Sequence, residues 1–92
     1  MLDSPGWILE WKQTAERQLR KLDKPVAQRV LKKLQWLSLS PNPEMLLKPL
    51  KENRSGQHSL RIQEYRAILE LMSDEYVILI VEVGHRNHVY ED

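Results

Sequence analysis

The chain has 92 residues, 41% of them apolar and 29% charged, with a net charge of +1 and no cysteine. That size suits one domain with a modest core, and the balance excludes a disordered or low-complexity chain, a disulfide framework and a thiolate metal site. Asp3 and Pro5 interrupt the opening too early for a secretory leader, and no apolar run approaches membrane-spanning length. The expectation is a single cytoplasmic domain spanning residues 1–92 that does not engage a membrane.

Large apolar residues alternate through Trp7-Ile8-Leu9-Glu10-Trp11, the period of a first strand. From Gln13 or Thr14 the period lengthens. Ala15, Leu19 and Leu22 recur at helical spacing, with Arg17, Arg20 and Lys21 turned outward. Asp23-Lys24-Pro25 punctuates, and Pro25 suits the first turn of a second helix, where a missing N–H costs nothing. The buried stripe of that helix is Val26, Val30, Leu34 and Leu37, widened by Ala27 and Leu31, and Ser40-Pro41-Asn42-Pro43 ends it. Trp36 falls off the stripe, among Arg29, Lys32 and Lys33. It is either a lone exposed aromatic or a partner contact.

Residues 41–57 read as a long loop carrying Lys48, Lys51, Arg54 and Gly56. Strands resume at His58–Ile62 and Tyr65–Met72, and Ser73-Asp74-Glu75 makes a tight hairpin into Tyr76–Val83. That last run is apolar on both faces in its middle, as befits a central strand. Gly84 ends or bulges it. The order β-α-α-β-β-β predicts an α+β fold, two helices packed on a small antiparallel-dominated sheet.

Charge is unevenly spread. Lys12 to Arg66 holds thirteen Lys or Arg against five acids, whereas beyond Arg66 only Arg86 is basic. A chain polarised this way can present a basic face to nucleic acid despite its near-neutral total, although for Lys12–Lys33 taken alone a solvated helix surface is the better reading. Arg61 has the opposite parity to Leu60 and Ile62 and so leaves the face that they bury. If the chain stays extended past Gly84, Arg86, His88 and Tyr90 project together, while His85 points the other way unless a bulge re-aims it. Arginine offers a planar fork for phosphate, histidine exchanges protons near neutral pH, and tyrosine can stack on a base. Each alone has an ordinary alternative, such as a salt-bridged surface arginine or a packed tyrosine. His85 and His88 lack the spacing or acidic companions of a metal site, so neither a metal nor a cofactor is expected.

Trp11 with Ala15, Leu19 and Leu22, then Asp23-Lys24-Pro25-Val26, Lys48-Pro49-Leu50, Gly56, Leu60-Arg61-Ile62, Tyr65-Arg66, Val83-Gly84-His85-Arg86 and Val89-Tyr90 follow one another in the order and spacing of a known pattern. On these residues the chain resembles the RelE/ParE toxin superfamily, the RelE branch in particular, from about Trp7 to Tyr90. The resemblance implies a RelE-like toxin of a toxin–antitoxin pair: a metal-free endoribonuclease that cuts messenger RNA in the ribosomal A site. It further implies silencing by a cognate antitoxin that wraps the toxin, and binding to operator DNA only in complex with that antitoxin.

By the same resemblance, Arg66 and Arg86 match phosphate-binding and transition-state-stabilising arginines, and Tyr90 matches a tyrosine that orients or stacks on the substrate. His88 or His85 is the proton-transfer candidate. Arg61 occupies a basic position on the strand before Tyr65-Arg66. Some RelE-type enzymes carry basic residues where this chain has Gln57, His58 and Ser59, so His58, or Lys48 and Lys51 from the loop, would contact RNA instead. A common glycine before the Tyr-Arg segment is Gln63 here. Two other functions fit the same superfamily: a ParE-like toxin that inhibits DNA gyrase by binding, and a degenerate toxin kept as an antitoxin-binding or operon-regulating module.

Overall fold

The computed structural model describes residues 6–50 and 56–87. In chain order the elements are β1 (Ile8–Trp11), α1 (Gln13–Arg20), α2 (Lys24–Ser38), a 3-10 turn at Pro43–Leu46, β2 (Lys48–Pro49), β3 (Gln57–Ile62), β4 (Tyr65–Met72) and β5 (Val77–His85). One sheet contains all five strands in the order β1-β5-β4-β3-β2. β1 runs parallel to β5 and the other pairs are antiparallel. The α+β class with two helices on an antiparallel-dominated sheet is therefore the one observed. The stretch expected to be loop differs. It contains the 3-10 turn and β2, whose two residues pair with His58 and Ser59 and are too few to show any period. Among the described residues no helix is long and apolar enough to cross a membrane.

The helices cover one face of the sheet. Val30, Leu34 and Leu37 of α2 are fully buried against Leu60, Ile62, Ala67, Leu69, Ile78, Ile80 and Val83 from the three central strands. Trp7, Leu9 and Trp11 pack against this core from the side chosen by their alternation. Ala15 is fully buried too. Its single methyl lets α1 settle closely beside β5, where a larger side chain would overpack the contact. A second, smaller cluster of Leu50, Ile68 and Val81 lies on the outer face. It follows from parity: Ile68 alternates with Ala67 and Leu69, which point to the helices.

β5 does not bulge at Gly84. The register with β4 shifts between Ile68 and Leu69, where Ile68 faces Glu82 and Leu69 faces Ile80, so Val81 is the extra residue. Gly84 remains inside the strand, paired with Arg66. Just beyond the shift β1 has ended at Trp11, opposite Ile80, and the β5 edge would lose its partner. There the Val83 N–H donates to Oε1 of Gln18 at 2.7 Å, a side chain delivered by α1. Replacing Gln18 by leucine is expected to lower stability by about 1–3 kcal/mol, the cost of leaving a buried N–H unpaired. Urea denaturation of the two proteins measures the difference.

Two turns set the ends of the outer strands. The β3–β4 connection is Gln63-Glu64, and Gln63 takes φ 57°, a left-handed conformation that glycine adopts with less strain. The β4–β5 connection is longer than a three-residue turn. Glu75 N–H donates to Met72 O and Tyr76 N–H to Ser73 O, and Tyr76, at φ 55°, belongs to the loop. The strand accordingly starts at Val77. Tyr76 packs edge-on against Trp7 with ring centroids 5.4 Å apart, and its carbonyl accepts from Ile8 N–H. The loop thus holds the parallel β1 in place.

Candidate functional site

Antiparallel pairing of β3 with β4 puts Arg61 directly opposite Arg66, and pairing of β4 with β5 puts Arg66 opposite Gly84. Directly opposed residues share a face. The two arginines and the glycine therefore form one row across three strands on the outer face, opposite the helices. Arg66 is half-buried in that row, with Gly84 offering no side chain beside it, and Arg61 is exposed at its end. The Arg61 Nε–H donates to Gln63 O at 3.2 Å, so the β3–β4 turn holds the base of its guanidinium.

Arg86 follows at the last rung. Its backbone N–H donates to Glu64 O at 2.8 Å, extending the β4–β5 ladder by one bond and fixing Arg86 against the same turn. The chain does not stay extended, however. Arg86 and Asn87 form a turn, and Asn87 N–H donates to Nδ1 of His85 at 3.2 Å. The backbone leaves the sheet here because the turn closes on the His85 ring. Three arginines thus gather at one end of the sheet, from the end of β3, the start of β4 and the exit of β5. Planar, always charged guanidinium forks on one face suit the oxygens of a phosphodiester.

His85 does not share the arginine row. It pairs with Tyr65, whose ring packs against the helix-side core, and the two rings meet edge to face at 5.4 Å. Its Nε2 lies 3.6 Å from a Glu64 carboxylate oxygen. With Nδ1 accepting from Asn87, neutral His85 carries its proton on Nε2, toward Glu64. The ring thereby ties β5 to the β3–β4 turn, an arrangement that positions Arg86. Glu64 and Gly84 are contributors that residue type did not reveal, although the pairing of Tyr65-Arg66 with Gly84-His85 could have been found from the hairpin register.

His58 is also elsewhere. It shares parity with Leu60 and Ile62 and is buried on the helix side, opposite Leu69, so it cannot reach an RNA on the arginine row. Its alternation with Leu60 already carried that signal. Lys48 is exposed on β2 rather than in a loop. Lys51, His88 and Tyr90 lie outside the described residues. No group of three or more His, Asp or Glu among the described residues is arranged to hold a metal ion.

Comparison with known proteins adds to this geometry. Residues 9–90 match the model of the family described as ParE toxin of type II toxin–antitoxin system, parDE. Among solved structures, the toxin–antitoxin complex RelBE2 from Mycobacterium tuberculosis contains a chain that superposes with a TM-score of 0.81 and 26% identity, covering 91% of this chain and 95% of that one. The E. coli RelBE toxin–antitoxin complex gives a TM-score of 0.71 at 21% identity, over 86% of this chain and 95% of that chain. An archaeal RelE–RelB complex from Pyrococcus horikoshii gives 0.71 at 20%, over 91% and 99%. The last two are likenesses of fold. No curated protein matches the sequence.

Proposed function

From the premise that the chain belongs to the ParE toxin family of type II toxin–antitoxin systems, within the RelE/ParE superfamily, we propose that this toxin is an endoribonuclease that cuts messenger RNA on the ribosome. The observation that carries this reading is the row of Arg61 and Arg66 beside Gly84, with Arg86 tied to the same turn. A phosphodiester lying on that row meets two guanidinium forks from adjacent strands, with the Arg86 backbone two residues beyond the glycine.

In the proposed reaction the 2′-OH of one nucleotide attacks the adjacent phosphorus. The O2′–P bond forms and the P–O5′ bond breaks, leaving a 2′,3′-cyclic phosphate and a free 5′-hydroxyl. A base takes the 2′-OH proton and an acid returns one to O5′, steps that contribute on the order of 10²–10⁴-fold when the groups are well positioned. Arg66 and Arg86 neutralise the charge that builds on the phosphorane oxygens. Arg61 and Lys48 hold the flanking backbone. His88 and Tyr90 are the proposed proton-transfer and base-stacking residues, and His85 acts by positioning Arg86. The physiological partner is an antitoxin, in keeping with the toxin–antitoxin complexes that hold the three similar structures.

The gyrase-inhibiting mode of action is the second reading, favoured by the match to the ParE family model. Primer extension on a translated message separates the two. New 5′ ends on induction of the toxin, with DNA supercoiling by gyrase unchanged, support the nuclease. Intact messages with blocked supercoiling support the gyrase inhibitor.

A further inference from the structure

A second basic feature opens beside the arginine row. A groove of about 400 Å³ runs between α2 and the end of β3, lined by Arg29, Lys32, Lys33, Trp36, Arg61, Ile62 and Gln63. Four of those seven side chains are cations and none is a carboxylate. Trp36 is 48% exposed at its rim, and Nζ of Lys33 sits 4.5 Å from the ring centroid. The stripe that buries Val30, Leu34 and Leu37 forces this placement, because Arg29, Lys32, Lys33 and Trp36 then emerge together on the flank of α2 that faces β3.

We propose that this groove binds single-stranded RNA flanking the phosphate at the arginine row, with a base stacked on Trp36 and the backbone held by Arg29, Lys32 and Arg61. The inference rests on the nuclease reading for its substrate and extends it to a second site. Three observations favour RNA over a protein segment. Four of the lining residues end in cations, whereas the centre of a protein interface is depleted of charge. Cations tracking beside an exposed aromatic are what a single strand requires, phosphates for the former and a base face for the latter. Arg61 belongs to both places. It lines the groove, and it stands directly across from Arg66, where opposed strand residues lie only about 4.5–5.5 Å apart. A strand leaving the arginine row therefore meets the groove at Arg61. The ammonium of Lys33 occupies the ring face until a base arrives, then moves to a phosphate.

Binding of a 2′-O-methyl oligoribonucleotide of about eight nucleotides tests this, because it lacks the attacking hydroxyl and cannot be cut. Trp36→Ala is expected to weaken binding by about 5–150-fold, the range for loss of one stacked base, and to remove most of the tryptophan quenching on titration. Trp36→Phe should restore most of the affinity. Arg29→Gln with Lys32→Gln should flatten the salt dependence by roughly one to two units of slope. Equal affinity and quenching in Trp36→Ala would overturn the proposal. So would unchanged RNA binding coupled with lost antitoxin binding, which would give the groove to the antitoxin. Cleavage plays no part in this measurement, so a toxin that binds through Trp36 yet never cuts would refute the nuclease reading alone.

Discussion

Arg86→Ala is expected to lower RNA cleavage by about 10²–10³-fold while leaving the melting temperature within error of the parent. The size of the effect is that of removing one preorganised charge-stabilising group from a developing oxyanion, about 2.7–4 kcal/mol of transition-state stabilisation. The absence of a stability effect follows from its place. Arg86 is exposed, and among the described residues it holds the fold by its backbone N–H to Glu64 O, a bond that alanine keeps. Arg66→Ala should match it in rate. Arg66 is half-buried, so thermal melting accompanies the rate measurement and separates a lost charge from a loosened sheet. Arg66→Lys should recover only part of the activity, because an ammonium cannot hold two phosphate oxygens in the plane that a guanidinium offers. Primer extension quantifies all three variants, with growth arrest on induction as the second measurement. Full cleavage in Arg86→Ala would remove that residue from the site.

Replacing His85 by glutamine tests the route by which this residue is proposed to act. His85 stands on the helix side of β5, with Nδ1 accepting from Asn87 and Nε2 toward Glu64, so it shapes the turn that carries Arg86. A group that only positions Arg86 should lower the rate without moving the pH profile.

Local patterning made much of this legible. The alternation of Trp7, Leu9 and Trp11 set the first strand, the Val30-Leu34-Leu37 stripe set the longer helix, and the parity of Arg61 against Leu60 and Ile62 put that arginine outside. Those properties depend on backbone geometry over a few residues. The features that were not legible depend on partners distant in sequence. The extra residue in β5 is Val81 rather than Gly84 because the edge that it disturbs is closed by Gln18, 65 residues earlier. β2 exists because His58 and Ser59 offer Lys48 and Pro49 an edge to pair with. The glycine at position 84 sits inside the strand, across from Arg66, and not at the bulge. His58 is the instructive miss. Its parity with Leu60 and Ile62 pointed inward, and analogy with basic strand residues of related toxins outweighed it.

The fold that carries this site is thin, which makes its core the other point of large effect. Leu34→Ala is expected to destabilise the protein by about 2–5 kcal/mol, the range for emptying a fully buried leucine site. A chain of this length has only about 5–14 kcal/mol in total. The substitution should therefore lower the melting temperature by roughly 8–40 °C, at about 4–8 °C per kcal/mol in a domain of this size. Leu34 lies in the middle of α2, with Val30 and Leu37 one turn to either side in the same core. Leu39, one residue past the end of the same helix and 68% exposed, is the control, and Leu39→Ala should change stability by no more than about 0.5 kcal/mol. Comparable losses from the two substitutions, measured by thermal unfolding, would mean that α2 does not bear on the sheet as described. The row of arginines depends on that contact, since Arg61 and Arg66 share a face only while β3 and β4 keep the register that the Leu60–Ala67 pair holds beneath α2.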